Sequence, residues 1–421
     1  MTVPQGAALS IGAVLGTGVI ALPALAAQTA GPASLIAWAA LVALSVPLAA
    51  TFAALGARYP DAGGVATYAR RAFGPRAAAV VGWSFYFAIP VGAPAAALFG
   101  GAYVAAALGG GTTTTVATAA GLMLVVTAGN LGGVRVSGRL QLGLAALLVA
   151  LLLTATITAL PHARAANLHP FAPHGWWAIG PAAAVLVWGF AGWEAVTSLA
   201  ADFRHPGRDL PRATAIALVV VAVLYLGIAA ASVLVLGPGL AADPKAGGAP
   251  LAELLAIGVG GQVRTIAAGA AVLLTLGTMN AYYAGAAKLG AALGRDGALP
   301  AWFGRGAAPG AVPRRSLLVV AALGAVSLVV VAATGTGTRA LVLLTSGSFV
   351  LVYLLGSAAA VKLLRRGARA CAIAALVSSV GLMLVTGWYV LGTLVIAAGA
   401  LLYTRKEKSS RVVDSVEARL T

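Results

Sequence analysis

Trp188-Gly189-Phe190-Ala191-Gly192-Trp193-Glu194 interrupts the middle of a long apolar run. Glycine has no Cβ and loosens a helix, and here two glycines stand three apart where a membrane helix is most regular. Glu194 follows at once and is the one acid that falls inside an apolar run. A second interruption, Gly16-Thr17-Gly18, lies in the first apolar run, with Pro23 just beyond it. A helix broken in lipid frees backbone N–H and C=O groups, each costly if left unpaired. The rest of the chain is read as the frame around these two breaks.

Of 421 residues, 61% are hydrophobic and 9% charged. A soluble protein carries about 25% charged residues, so the composition excludes a soluble fold and indicates a polytopic membrane protein. Twelve apolar runs of spanning length, about 20 residues each, fall near 6–30, 32–57, 78–106, 113–131, 139–161, 177–201, 212–236, 262–290, 315–335, 339–361, 370–386 and 388–404. They are continuous, which excludes barrel strands of alternating polarity. A single cysteine, Cys371, rules out an internal disulfide and reads as a packing residue.

The net charge of +17 reads as topology and not as nucleic-acid binding. With the amino terminus in the cytoplasm, all but four of the 27 basic residues fall in inside segments; Arg164, Lys245, Arg264 and Arg339 are the outside ones. That is the positive-inside bias, and it places both termini inside a cell membrane. Thr112 to Thr115 reads as a short outside turn. Segment 238–262, with Pro238, Asp243, Pro244 and Pro250, reads as a loop carrying a short interfacial helix over Leu251–Ile257. The tail after Tyr403 is polar and expected to be mobile.

The breaks fall in runs 1 and 6, five apart. Odd spacing turns the second copy upside down and brings two half-helix ends to the bilayer midplane, the arrangement of a transporter's solute site. A zwitterion complements it, since a carboxylate suits the amino end of a half-helix and an ammonium suits freed carbonyls. Gly16, Thr17 and Gly18 are expected to offer N–H groups and a hydroxyl to the carboxylate. Carbonyls near Val14, Trp188 and Ala191 are expected to receive the ammonium. The competing reading is close helix packing by small residues.

Glu194 has two readings: a proton carrier, or an acceptor for the frayed backbone of run 1. Lys288 reads as snorkelling to the interface or as a gate. Tyr282 and Tyr283 are candidate gate aromatics, Tyr283 the preferred one, and Thr275, with Thr278, is a weak candidate for sodium. Pro90 and Pro94 are expected to distort run 3. His162, His169, His174 and His205 all fall in loops, so no catalytic site is expected, and no cofactor or metal.

Several stretches resemble the amino acid–polyamine–organocation (APC) superfamily of transporters. They are Gly16-Thr17-Gly18-Val19-Ile20 and Tyr59-Pro60-Asp61-Ala62-Gly63-Gly64 with Phe73-Gly74-Pro75. Further along come Phe190-Ala191-Gly192-Trp193-Glu194, Asp202 to Arg212, and Asn280 with Arg295-Asp296-Gly297-Ala298-Leu299-Pro300. Ile89-Pro90-Val91-Gly92-Ala93-Pro94 looks most like the superfamily's bacterial exporters of methionine and branched-chain amino acids. The resemblance implies an all-α fold of twelve transmembrane helices. It is a five-plus-five inverted repeat, residues 6–161 and 177–361, with extra helices at 370–404 and a cytoplasmic tail at 405–421. It also implies substrate contacts at Val14, Gly16, Thr17, Gly18, Trp188, Phe190, Ala191, Gly192 and Asn280, with Trp188 on the family's gate aromatic.

Two departures matter. Run 5 lacks the lysine of some proton-coupled relatives, and Thr275 is followed by Leu276 where sodium-coupled relatives carry a second hydroxyl. The walls are apolar and hold no second acid, which favours a neutral amino acid over arginine or a polyamine. The expected function is secondary transport of such amino acids, outward, by proton antiport or exchange, as a monomer or homodimer. The alternatives are proton-linked uptake and a non-transporting membrane sensor.

Overall fold

A computed structural model describes residues 2–60, 64–133, 138–194, 197, 200, 203–242, 247–305 and 312–420. The expectations for Asp61, Ala62, Gly63, Arg135, Asp202, Asp243, Pro244 and Lys245 lie outside the described residues. All the described regular structure is helical. Ten helices are long and apolar enough to cross a membrane. Two apolar helices are shorter, Val3–Val14 and Trp176–Phe190, and each ends at one of the glycine breaks.

The first run divides into α1 (Val3–Val14), a 3-10 turn over Thr17–Ile20, and α2 (Leu22–Ala30). Gln5 starts α1 by accepting a hydrogen bond from the Thr2 N–H at 3.1 Å, a helix-start device that satisfies an otherwise orphan donor. Gly31, at φ +60°, ends α2 in a conformation that favours glycine. The chain then enters α3 (Ser34–Arg58), the short α4 (Gly64–Phe73), and α5 (Pro75–Leu108). Pro90 and Pro94 lie inside α5, which continues through both. Gly109 then closes it in the left-handed region.

The four threonines from Thr112 form the first turn of α6 (Thr112–Leu131), not a loop; Gly111 before them supplies the extended entry. α7 (Gly138–Ala159) and α8 (Ile179–Phe190) complete the first eight helices. After the second break come α9 (Pro206–Ala231), α10 (Pro250–Gly258), α11 (Val263–Arg295) and α12 (Arg314–Thr334). The last are α13 (Gly337–Leu363), α14 (Arg366–Val385) and α15 (Val390–Leu420). α15 runs on through the tail that was expected to be mobile. No Gly or Pro follows Gly399, so nothing in the tail forces the backbone out of a helix.

α5 is the hub, packing on α4, α6, α11, α12, α13 and α15. α1 packs on α9, and α2 on α8, so the two broken elements are in contact. Large apolar side chains face outward instead of inward: Ile157 of α7, Leu384 of α14 and Val395 of α15 are exposed. Water would penalise those faces by about 25 cal/mol per Å², whereas acyl chains do not. The short helix expected over Leu251–Ile257 is α10, and one of its faces is buried on α7 and α11. A bidentate ion pair, Arg264 Nε and Nη2 to Glu253 at 2.8 Å each, fastens α10 to α11.

Candidate functional site

Both breaks follow from local backbone demands. α1 stops at Val14, and Gly16 is extended at φ −87°, ψ −176° before the 3-10 turn begins. That turn starts at Thr17 and its first bond joins the Val19 N–H to the Gly16 carbonyl, so the N–H groups of Thr17 and Gly18 have no partner within it. Pro23 at the start of α2 removes a donor that would otherwise be orphaned. α8 stops at Phe190; Ala191 is extended, and Gly192 takes φ +134°. Non-glycine residues rarely adopt that conformation.

The two breaks touch. A Cβ added to Gly192 would lie 2.6 Å from the Ala13 carbonyl oxygen and 2.9 Å from the Val14 Cα. The second break therefore needs glycine for its φ and again for the backbone pressed against it.

Two tyrosines bind the freed groups, and both come from distant runs. The Tyr225 hydroxyl of α9 stands 3.0 Å from the Val14 carbonyl and 2.6 Å from that of Gly189, joining the ends of α1 and α8. The Tyr353 hydroxyl of α13 donates to Glu194 Oε2 at 2.8 Å and lies 3.3 Å from the Phe190 carbonyl. The same Oε2 accepts the Gly192 N–H at 2.9 Å. Among the described residues Glu194 thus serves the backbone of its own break, not that of the first run. A third tyrosine, Tyr103 of α5, donates to the Ile20 carbonyl at 2.7 Å and accepts the Leu251 N–H of α10 at 3.1 Å. The bland role of membrane tyrosines as packing hid all three in the sequence.

Removing the Tyr225 hydroxyl tests this clasp. Tyr225→Phe leaves buried carbonyls short of a donor, which costs about 1–3 kcal/mol. The expected result is a lower thermal midpoint in detergent with the fold retained; an unchanged midpoint would show that the hydroxyl does not hold the breaks.

The other expected site residues divide. Thr17 is buried, and its Oγ1 has no hydrogen-bond partner among the described residues. Trp188 lies between glycines: a Cβ on Gly18 would sit 2.8 Å from its Nε1, and one on Gly92 of α5 would sit 2.9 Å from its Cη2. Phe99 closes against it edge-on at 6.3 Å. Val14, Gly16, Thr17, Gly18, Trp188, Ala191, Gly192 and Glu194 therefore belong to one neighbourhood.

Phe190 turns away from it, packing on Trp38 at 6.0 Å and Tyr225 at 5.0 Å. The Asn280 Oδ1 accepts from Asn130 Nδ2 of α6 at 2.8 Å, which ties it to the scaffold. The Tyr283 hydroxyl faces Gly324 of α12, 3.3 Å from where its Cβ would be, while Tyr282 is the tyrosine beside Gly16, at 3.9 Å. Thr275 faces Gly100 of α5, and Lys288 is exposed. A cavity of about 300 Å³ lies between α1, α7 and α11, reaching Ala13 and Leu15 beside the first break. Its polar lining is Gln141 and Thr278; the remainder is Ala, Leu and Gly.

The model of the amino acid permease family matches residues 2–408. The chain belongs to the amino acid permease family. This permease is therefore a multi-pass membrane protein of the APC superfamily, and its family transports amino acids instead of transforming them. It is 34% identical over 403 residues to an uncharacterized amino acid permease of Bacillus subtilis (strain 168), YecA, covering 95% of this chain and 94% of that one. It is 33% identical over 407 residues to the L-methionine/branched-chain amino acid exporter YjeH of Escherichia coli (strain K12), covering 96% of each. A more distant relative is the branched-chain amino acid permease BcaP of Bacillus subtilis, 25% identical over 240 residues, with 53% of this chain and 52% of that one covered.

Proposed function

We propose that this permease exports neutral, apolar amino acids of the methionine and branched-chain type across the cell membrane by alternating access. Its fold is a twelve-span, five-plus-five inverted repeat over 6–161 and 177–361, with the helices at 370–404 outside the repeat and both termini cytoplasmic. The contact of Gly192 with the Ala13–Val14 backbone carries the reading, because it puts two frayed half-helix ends side by side. The N–H groups of Thr17 and Gly18 at the start of the 3-10 turn and the Thr17 hydroxyl, unpartnered among the described residues, suit a carboxylate. Trp188 and Phe99 supply an apolar wall. No second carboxylate approaches the breaks among the described residues, which disfavours a cationic side chain. The names of YjeH and, more distantly, BcaP point to the same side chains.

Reconstitution in liposomes tests the reading. Labelled leucine or methionine should move faster under an imposed pH gradient than without one, and arginine should not move. Absence of flux for every neutral amino acid would refute transport. Flux that only accumulates substrate in cells, with no gain in tolerance of toxic dipeptides on overexpression, would reverse the direction to uptake.

Glu194 is the proposed proton-linked residue. Tyr353 has one hydroxyl hydrogen and two acceptors within reach, Glu194 Oε2 and the Phe190 carbonyl. An ionised Glu194 draws that hydrogen; a protonated one releases it to the backbone of the break. Glu194→Gln fixes the uncharged state while keeping one oxygen acceptor. It is expected to flatten the pH dependence of transport and preserve the fold, as read by flux from pH 5 to 8. An unchanged pH profile would leave Glu194 a positioning residue.

A further inference from the structure

Where α6 ends and α12 begins, Arg305, Arg314 and Arg315 line one cavity of about 450 Å³ with Gly132, Gly133 and Val312. Three arginines on the wall of one cavity give it a positive potential that an anion there would relieve. Neither 131–143 nor 300–316 contains an Asp or Glu. The ion pairs among the described residues are Arg70–Asp296, His205–Asp209 and Arg264–Glu253, and none uses these three arginines. Arg315 Nη1 is buried with no hydrogen-bond partner among the described residues. Its guanidinium lies 5.4 Å from the centre of the Trp302 ring, a stacking contact that restrains its plane. Elsewhere at this end of the helices, Arg70 has its carboxylate, so unpaired arginines are not simply what topology demands.

We propose that this cavity binds a phosphate group. Phosphate oxygens match the forked donors of arginine, and one such group would satisfy Arg315 Nη1 while screening all three charges. The phosphate could be carried by an anionic phospholipid or be free in solution. The lipid is favoured by the helices that flank the cavity, since Leu124 and Val125 of α6 and Leu318 of α12 are exposed apolar residues on them. Acyl chains laid along those faces would place a headgroup at the arginines, the pattern of basic pockets between spanning helices that hold anionic headgroups.

The full-length protein in dodecyl maltoside, titrated with dioleoyl phosphatidylglycerol, dioleoylglycerol or inorganic phosphate, reports binding as a shift in thermal midpoint. Phosphatidylglycerol should raise the midpoint saturably, and dioleoylglycerol, which lacks phosphate, should not. Arg315→Gln and Arg314→Gln should each weaken the apparent affinity about tenfold, while Arg369→Gln, exposed at the start of α14, should not. A shift with inorganic phosphate that the same variants lose would support the site and assign it to a soluble ligand. The proposal is overturned if neither phosphate-bearing probe shifts the midpoint, or if both variants keep wild-type affinity. Arg314 is exposed, so its variant decides the matter if Arg315→Gln does not fold.

Discussion

Gly18→Val should abolish substrate binding while the protein still inserts and folds. The added Cβ meets Trp188 Cδ1, lies 2.8 Å from its Nε1, and is 3.2 Å from Leu22 Cδ1. The indole has little room to retreat, because its far edge already lies against Gly92 and Phe99 packs on it edge-on. Overpacking of this kind costs about 1–3 kcal/mol, which the large apolar body absorbs. The site does not absorb it, since the same valine displaces Trp188 and crowds the N–H groups at the start of the 3-10 turn. Leucine flux in liposomes, normalised to the monodisperse yield of the variant, measures the effect. Normal flux would remove the first break from the proposed site.

Gly192→Ala should be more damaging to stability and equally damaging to transport. At φ +134° a non-glycine residue is strained by about 1–3 kcal/mol. The new methyl also meets backbone, the Ala13 carbonyl at 2.6 Å and the Val14 Cα at 2.9 Å. A side chain can change rotamer, but a backbone segment can move only by shifting α1. The expected result is a clear drop in thermal midpoint together with loss of flux. A variant with wild-type midpoint and flux would mean that the two breaks do not lean on each other. The pair of variants separates two roles: Gly18 makes room for Trp188, and Gly192 makes room for the opposite chain.

The location of the breaks was readable because glycine acts locally. Gly16, Gly18, Gly189 and Gly192 weaken the helix wherever it packs, and their spacing is visible without any partner. The tyrosines that hold the breaks were not readable. Tyr225 binds a carbonyl 211 residues away, and Tyr353 reaches Glu194 across 159 residues. Tyr282 and Tyr283 show the same limit at short range. A helix apolar on every side gives no phase by which to choose between adjacent residues, and it is Tyr282 that lies beside Gly16. The partner of Asn280 was equally unreadable: its oxygen accepts from Asn130, a residue with no sequence signal of its own.

From its sequence alone the chain determined that it lives in a membrane, which end of each run carries the positive charge, and where two helices come apart. Those properties depend on composition and on residues close together in the chain. Tertiary structure decided which groups meet at the gaps: Gly192 against Ala13, Tyr225 across two carbonyls, Tyr353 on Glu194. In lipid a freed backbone group must find a hydrogen-bond partner in the protein or face a cavity that the protein encloses, and which of these it meets is settled by how the helices pack.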